Sequence, residues 1–471
     1  MEQKLEWSKL LCKERERKST VIPDHRNEFD KDYDKIVYSS SVRRLQDKAQ
    51  AFPLQENDFT RTRLTHSIEV SALATSLGNA VGQWLKNENE ITDVQGQELA
   101  SLLNVSALIH DLGNPPFGHY GEAVVRNWFK KLFNDNKFNE FNENLNLKLK
   151  LTEEQKKDLL AFQGNAQTLR IVSKLQLLND QYGANFTYGT LSTIMKYPWS
   201  SKSGEDKFGY FIPESGIVKR IHVFTGLKDG VRHPATFLLE AADDMAYLCA
   251  DVEDAVKKGI IPWSEEYNNI KTRLLEENNG IYENMFKSID EATIIHEANK
   301  MPKSKLALIQ NFIVIVQGIM FNEVVEEFKK NYSSIMNGTL EHNELLESCK
   351  VNGIVRELRL LTEKYCYEDK EVLTLELVGD TVISGLLNIF VEALAKCSEE
   401  PESKTREGKL YSLISEDFKY ACLFDYEEGK KKKFEDATLY DKLLLVTDFI
   451  SGMTDSYAVN LYKELLGVTL P

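Results

Sequence analysis

The stretch Ile109-His110-Asp111-Leu112-Gly113-Asn114-Pro115-Pro116-Phe117-Gly118-His119-Tyr120-Gly121-Glu122 sets the reading of the whole chain. Upstream of it, Leu102, Leu103, Val105 and Leu108 fall at near-helical spacing, which predicts a buried helix over residues 97–110. Gly113 is predicted to be a left-handed cap, and Pro115 and Pro116 forbid the helix from continuing. An adjacent His and Asp can turn toward one point only where the backbone leaves a helix. That arrangement suits two ligands of one metal ion. The dipeptide alone equally fits a helix terminus with a capping Asp and a core His, so the context decides.

Composition narrows that context. The chain has 471 residues, 42% hydrophobic and 28% charged, an ordinary globular balance with ample length for a large core. Its 11 Pro and 25 Gly are few for that length and favour long helices. The net charge of −15 disfavours non-specific binding of nucleic acid, and an anionic substrate then needs a local cluster of cations or a metal. Cys12, Cys249, Cys349, Cys366, Cys397 and Cys422 show no CxxC spacing and read as reduced thiols of a cytoplasmic protein. Residues 1–17 are polar and charged, unlike a signal peptide. The most apolar run, Phe312 to Val316, is too short to span a bilayer and reads as part of a core helix, so no membrane partner is expected.

In chain order, residues 1–35 are predicted to be a surface arm with one short helix. The basic run Arg43, Arg44 and Lys48 reads as a solvated helix face. A helix over 65–85 buries Val70, Leu73, Ala74, Leu77 and Val81, with His66 at its start. Another helix follows Glu122, and residues 134–146 are an Asn-rich insertion. Lys196-Tyr197-Pro198 ends a helix, and 200–233 is irregular with a short hairpin near 208–222. Pro234 opens a helix through Lys258, stopped by Gly259 and Pro262. On it, Asp243, Tyr247, Asp251 and Asp254 share one face. Such a stripe among apolar neighbours fits a cation or hydrogen-bonding ligand lying against it, or a solvated acidic face. Further helices are predicted over 306–332, 351–367, 372–397 and 439–466, with a charged loop at 425–433. The class is all-α, one large globular body: an N-terminal arm and helix (1–60), a central helical core (61–265) and a C-terminal helical region packed on it (266–471).

His66, His110, Asp111 and Asp243 form the pattern H…HD…D. Two imidazoles and two carboxylates suit a divalent first-row metal with open positions, and argue against a structural thiolate zinc site. With this pattern the chain resembles the HD-domain phosphohydrolases, and more closely the bacterial deoxyguanosine triphosphate triphosphohydrolases (dGTPases). Residues 29–36 and 44–50, Arg63 to Ser67, His110 to His119, Gly164 to Gln167, Lys196 to Pro198, Glu240 to Asp244 and Ile450 to Asp455 follow that family's order. The Asn-rich segment and residues 265–440 carry no recognised motif.

The resemblance implies an HD-domain helical phosphohydrolase fold with additional C-terminal helices. It implies hydrolysis of dNTP, chiefly dGTP, to deoxynucleoside and inorganic tripolyphosphate, with Mg²⁺ or Mn²⁺ as cofactor. His66, His110, Asp111 and Asp243 would hold the metal, and His119 and Glu122 would act at the α-phosphate, with Glu122 orienting His119. Arg63, Lys196 and Tyr197 would grip the phosphates; Gln50, Tyr247 and Asp251 would contact the deoxyribose. The Asp-x-x-Ala-Tyr spacing favours Asp243 over Asp244 as the ligand. The resemblance also implies a homo-oligomer, such as a hexamer, and a possible dNTP or single-stranded DNA effector. Two other readings stay open: a different HD-domain nucleotide phosphohydrolase or phosphodiesterase, and a non-catalytic nucleotide- or single-stranded-DNA-binding regulator.

Overall fold

In the computed structural model, residues 4–18, 24–50, 52, 60–134, 151–277, 279–300, 304–340, 344–366, 369–426 and 428–468 are described, and the chain is all-α. Among the described residues the only strands are Phe424–Asp425 and Lys430–Lys431, a minimal antiparallel pair where the sequence reads as a charged loop. All but the first residue of the Asn-rich insertion lies outside the described residues.

The helix Arg63–Asn87 starts with a capping box in which Thr62 and Thr65 satisfy each other's backbone, so Arg63 and His66 sit in its first turn. It lies along the helix Asp93–Ile109, which carries the His-Asp pair at its exit. The approach is close: a Cβ on Gly78 would stand 2.8 Å from Ala100 Cα. Leu77, Val81, Leu85, Leu99, Leu103 and Ile109 are fully buried between and beneath the two helices, each contributing about 1.5–3 kcal/mol by leaving water. The helix Pro234–Lys257 crosses both, opening on Pro234 and running out at Gly259, whose φ is +77°.

Several segments differ from the sequence reading. The N-terminal arm is not a surface feature. Leu5, Trp7, Leu10 and Leu11 are buried, and the Trp7 indole donates to the Tyr332 hydroxyl at 2.9 Å. The apolar residues among its charges are what tie it down. In place of the hairpin near 208–222 there is a helix, Ser215–Thr225, burying Ile217, Val218 and Ile221 and ending on left-handed Gly226. The long helix expected over 439–466 is two helices, Leu439–Ser451 and Asp455–Leu465. The break follows from Gly452 and from Thr454, whose side chain caps the second helix.

Segments 306–337 and 370–395 are long and apolar enough, by length and composition, to cross a membrane. Each buries one face: Phe312, Val316, Met320, Val324, Phe328, Ile383, Leu386, Leu387 and Phe390 are fully buried, while Val314 and Leu377 are exposed. The helix Lys370–Ala395 packs on the helix Gly118–Asn134 and on both C-terminal helices, closing one side of the site.

Candidate active site

Three helices bring four side chains to one point. The ligand atoms of His66, His110 and Asp111 lie within 4.8 Å of one another. Asp243 Oδ1 stands 3.0 Å from His66 Nε2 and 3.4 Å from His110 Nε2. His110 donates Nδ1–H to the Ala107 carbonyl at 2.7 Å, which turns its Nε2 toward the other three. Burial opposes a charge on His110, yet Asp111 and Asp243 beside it raise its pKa to about 9. The two carboxylates are buried, yet the imidazoles, joined at Asp111 by Arg63, hold them well below the usual range. The donor set, with His110 Nε2 facing inward beside both carboxylates but without a hydrogen bond among the described residues, fits a divalent ion.

The loop after Asp111 is held from outside. Asn114 Nδ2 donates to Asp111 Oδ1 at 2.6 Å, and Arg63 pairs with the other oxygen. Gly113 is not the predicted left-handed cap. Positive φ falls instead on Phe117 (+61°) and Gly118 (+57°). The left-handed φ favours glycine at 118, where a Cβ would also stand 2.4 Å from Arg63 Nη2 and push that side chain aside. His119 and Glu122 both lie on the helix Gly118–Asn134, with His119 in its first turn and exposed. The expected bond between them is absent among the described residues. Glu122 is anchored elsewhere, accepting from the Gly164 N–H at 2.6 Å and pairing with Arg126 at 3.3 Å.

These groups open into a cavity of about 530 Å³, a volume suited to a nucleotide. It is lined by His66, His110, Asp111 and Asp243, by His119 and Glu122, by Arg63, Lys196 and Tyr197, and by Gln50, Tyr247 and Asp251. All the residues assigned a role from the sequence thus line one cavity. An HD-domain family model matches residues 63–175. A Listeria monocytogenes protein named deoxyguanosinetriphosphate triphosphohydrolase-like protein is 40% identical over 99% of this chain and 100% of its own length. A Synechocystis protein of the same name is 29% identical over 99% and 100%. A Yersinia pseudotuberculosis protein named deoxyguanosinetriphosphate triphosphohydrolase is 28% identical over 93% of each chain. This chain belongs to the dGTPase family.

Within this dGTPase-family fold the acidic stripe divides. Asp243, Tyr247 and Asp251 face the cavity, but Asp254 is bound to Arg61 and lies outside it. Burial, with Asp254 adding to it, pushes the Asp251 carboxyl up to about 7 against the pull of His66, Arg61 and Arg63. Burial likewise pushes Asp244 well up, and its Oδ2 has no hydrogen-bond partner among the described residues. Lys196 is half-buried; desolvation opposes its charge, but Glu240, at 3.1 Å, and the nearby Asp243 and Asp244 keep its pKa raised.

Sequence reasoning missed four residues here. Lys48 is buried, not solvated: it donates to the carbonyls of Asn114 and Ser451, and burial lowers its pKa to about 7. Lys207 lines the cavity and, among its described lysines and arginines, is the one without a carboxylate partner. Glu344 and Glu376 line it from the region that carried no motif. Glu376 makes no ion pair or hydrogen bond among the described residues, and burial raises its pKa. A lone charge outside a spaced motif gives no signal in one sequence.

Proposed function

We propose that this chain hydrolyses deoxynucleoside triphosphates, dGTP preferred, to the deoxynucleoside and inorganic tripolyphosphate. The observation that carries the reading is the meeting of an H…HD…D donor set, an unpartnered His and a set of cations in one nucleotide-sized cavity. His66, His110, Asp111 and Asp243 would hold Mg²⁺ or Mn²⁺, which would polarise a phosphoryl oxygen and stabilise the charge developing there.

Water attacks the α-phosphorus, and the bond from phosphorus to the 5′ oxygen breaks. His119, free of hydrogen bonds among the described residues, would give the departing oxygen its proton. Glu122, fixed by Gly164 and Arg126, would accept a hydrogen bond from the attacking water. Lys196 and Arg63, each already beside a carboxylate, would bind the inner phosphates, with Tyr197 at their side and the unpaired Lys207 at the tail. Gln50 Oε1, buried and without a hydrogen-bond partner among the described residues, would face the sugar, Asp251 would accept from the 3′-hydroxyl, and Tyr247 would cover C2′. Guanine is the base with adjacent N1–H and N2–H donors, which one carboxylate can accept together; Glu376 is a carboxylate of the wall free to do so. Family membership supports a cytoplasmic homo-oligomer, such as a hexamer, open to a dNTP or single-stranded DNA effector.

The test is a product-resolved assay of each dNTP with Mg²⁺ or Mn²⁺. Intact tripolyphosphate and deoxynucleoside, fastest with dGTP, are expected. Release of orthophosphate or pyrophosphate would move the chain to another HD-domain chemistry, and tight binding without turnover would make it a nucleotide sensor.

A further inference from the structure

We infer that Thr168 is a positioning residue whose hydroxyl sets the turn aiming His110 and Asp111 into the metal site; the inference rests on the metal reading above. Thr168 is buried within the short helix Gly164–Arg170. A helical Thr ordinarily turns its hydroxyl back to a carbonyl of its own helix. Thr168 instead uses both hydrogen-bonding capacities on a neighbouring segment. Its Oγ1 accepts from the Gly113 N–H at 2.9 Å and donates to the His110 carbonyl at 3.1 Å. The His110 carbonyl is at the exit of a helix, where the last carbonyls have no partner of their own. One hydroxyl therefore clamps the two ends of the turn that carries the His-Asp pair. Asn114 and the Ala107 carbonyl orient the two side chains, while Thr168 fixes the backbone between them.

The clamp is rigid because nothing separates the two segments. A Cβ on Gly113 would fall 2.0 Å from the Gly164 carbonyl oxygen and 2.3 Å from the Thr168 nitrogen. The short helix is itself locked at its far end. Arg170 pairs with Asp448 at 2.7 Å and Glu214 at 3.0 Å, and Gln167 donates to Asp448 at 2.9 Å. A shift of this helix would thus carry the ligand turn with it.

The experiment titrates Mn²⁺ into the metal-free full-length protein by calorimetry, for wild type, Thr168→Val and Thr168→Ser, with Asp111→Ala as control. Thr168→Val keeps the shape and leaves the Gly113 N–H and His110 carbonyl unpaired; Mn²⁺ affinity should fall roughly 10–100-fold, the usual range for losing a group that orients a ligand. Thr168→Ser keeps the hydroxyl and should bind like wild type. Metal-free melting temperatures of the two variants separate a lost clamp from a loosened core. Wild-type affinity in Thr168→Val, or an equal loss in Thr168→Ser, overturns the inference. Should Thr168→Val not fold, Thr168→Ala read against Thr168→Ser makes the same comparison. If wild type binds no Mn²⁺, or Asp111→Ala binds it unchanged, the metal reading itself fails and this inference falls with it.

Discussion

Asp455 holds Phe117 across 338 residues of chain: its Oδ1 accepts the Phe117 N–H at 2.9 Å, and its Oδ2 accepts the Ala49 N–H at 3.0 Å. Phe117 has φ of +61°, a conformation that costs a non-glycine residue on the order of 1 kcal/mol and persists only when its surroundings impose it. Asp455→Ala strands the buried Phe117 N–H and the part-buried Ala49 N–H at once and should cost roughly 2–4 kcal/mol in urea unfolding. Asp455→Asn keeps one acceptor oxygen and should lose about half of that. A loss within the scatter of surface substitutions would show the loop to be self-supporting.

Asp111 and His119 should separate by what their removal leaves behind. Asp111→Ala should lose both metal and turnover, with affinity down on the order of 10²-fold or more. His119→Ala should keep the metal and lose roughly 10²–10⁴ in rate. Metal analysis of the two purified variants, beside their rates, decides the assignment. Metal loss in His119→Ala would place His119 among the ligands.

Tyr247 should govern the choice of sugar. It stands one helical turn from Asp243, half-buried on the cavity wall beside Arg359. A ring against C2′ leaves no room for a 2′-hydroxyl, and the exclusion is worth roughly 2–4 kcal/mol. The ratio of kcat/KM for dGTP over GTP should be large in wild type and much smaller in Tyr247→Ala. A ratio that holds while both rates fall would make Tyr247 structural.

Asp158 should make stability depend on pH. It is fully buried, and burial raises its pKa to about 6 although Ile212, Ser201 and Tyr440 all donate to it. A raised carboxyl pKa means that the folded state binds the proton more tightly than the unfolded state does. Its contribution is therefore complete below the ordinary value of 3.8 and is lost as pH rises through about 6. Relative to Asp158→Asn, wild type should lose roughly 2–3 kcal/mol between pH 4 and pH 8. Unfolding free energies of the pair across that range test the sign; a difference that stays flat would return Asp158 to an ordinary pKa.

The parts of this molecule visible in the sequence were those where chemistry and period coincide. The apolar spacing of Leu102, Leu103, Val105 and Leu108 and the Pro234 start each follow from local rules and end within a few residues of the observed helices. Gly113 shows where local rules stop. A glycine after a helix reads as a left-handed cap, but here it is demanded by a backbone 51 positions away in sequence, at Gly164. Lys48 fails for the same reason, since burial under Asn114 and Ser451 is a tertiary fact. Ser215–Thr225 was missed because glycines on either side suggested turns, whereas Ile217, Val218 and Ile221 form one buried edge.

The Arg170–Asp448 pair has a consequence for where this protein can be cut. The HD-domain match closes at residue 175, yet Arg170, wholly buried inside it, is neutralised by Asp448, far downstream. Excising residues 63–175 would leave that guanidinium in an apolar interior without its counter-charge, a loss of about 3–5 kcal/mol for a broken buried pair. It would also remove Asp243 and release Phe117 from Asp455. Residues 63–175 are therefore not an autonomous module, and any rearrangement of this chain must keep Arg170 and Phe117 beside the segment that carries Asp448 and Asp455.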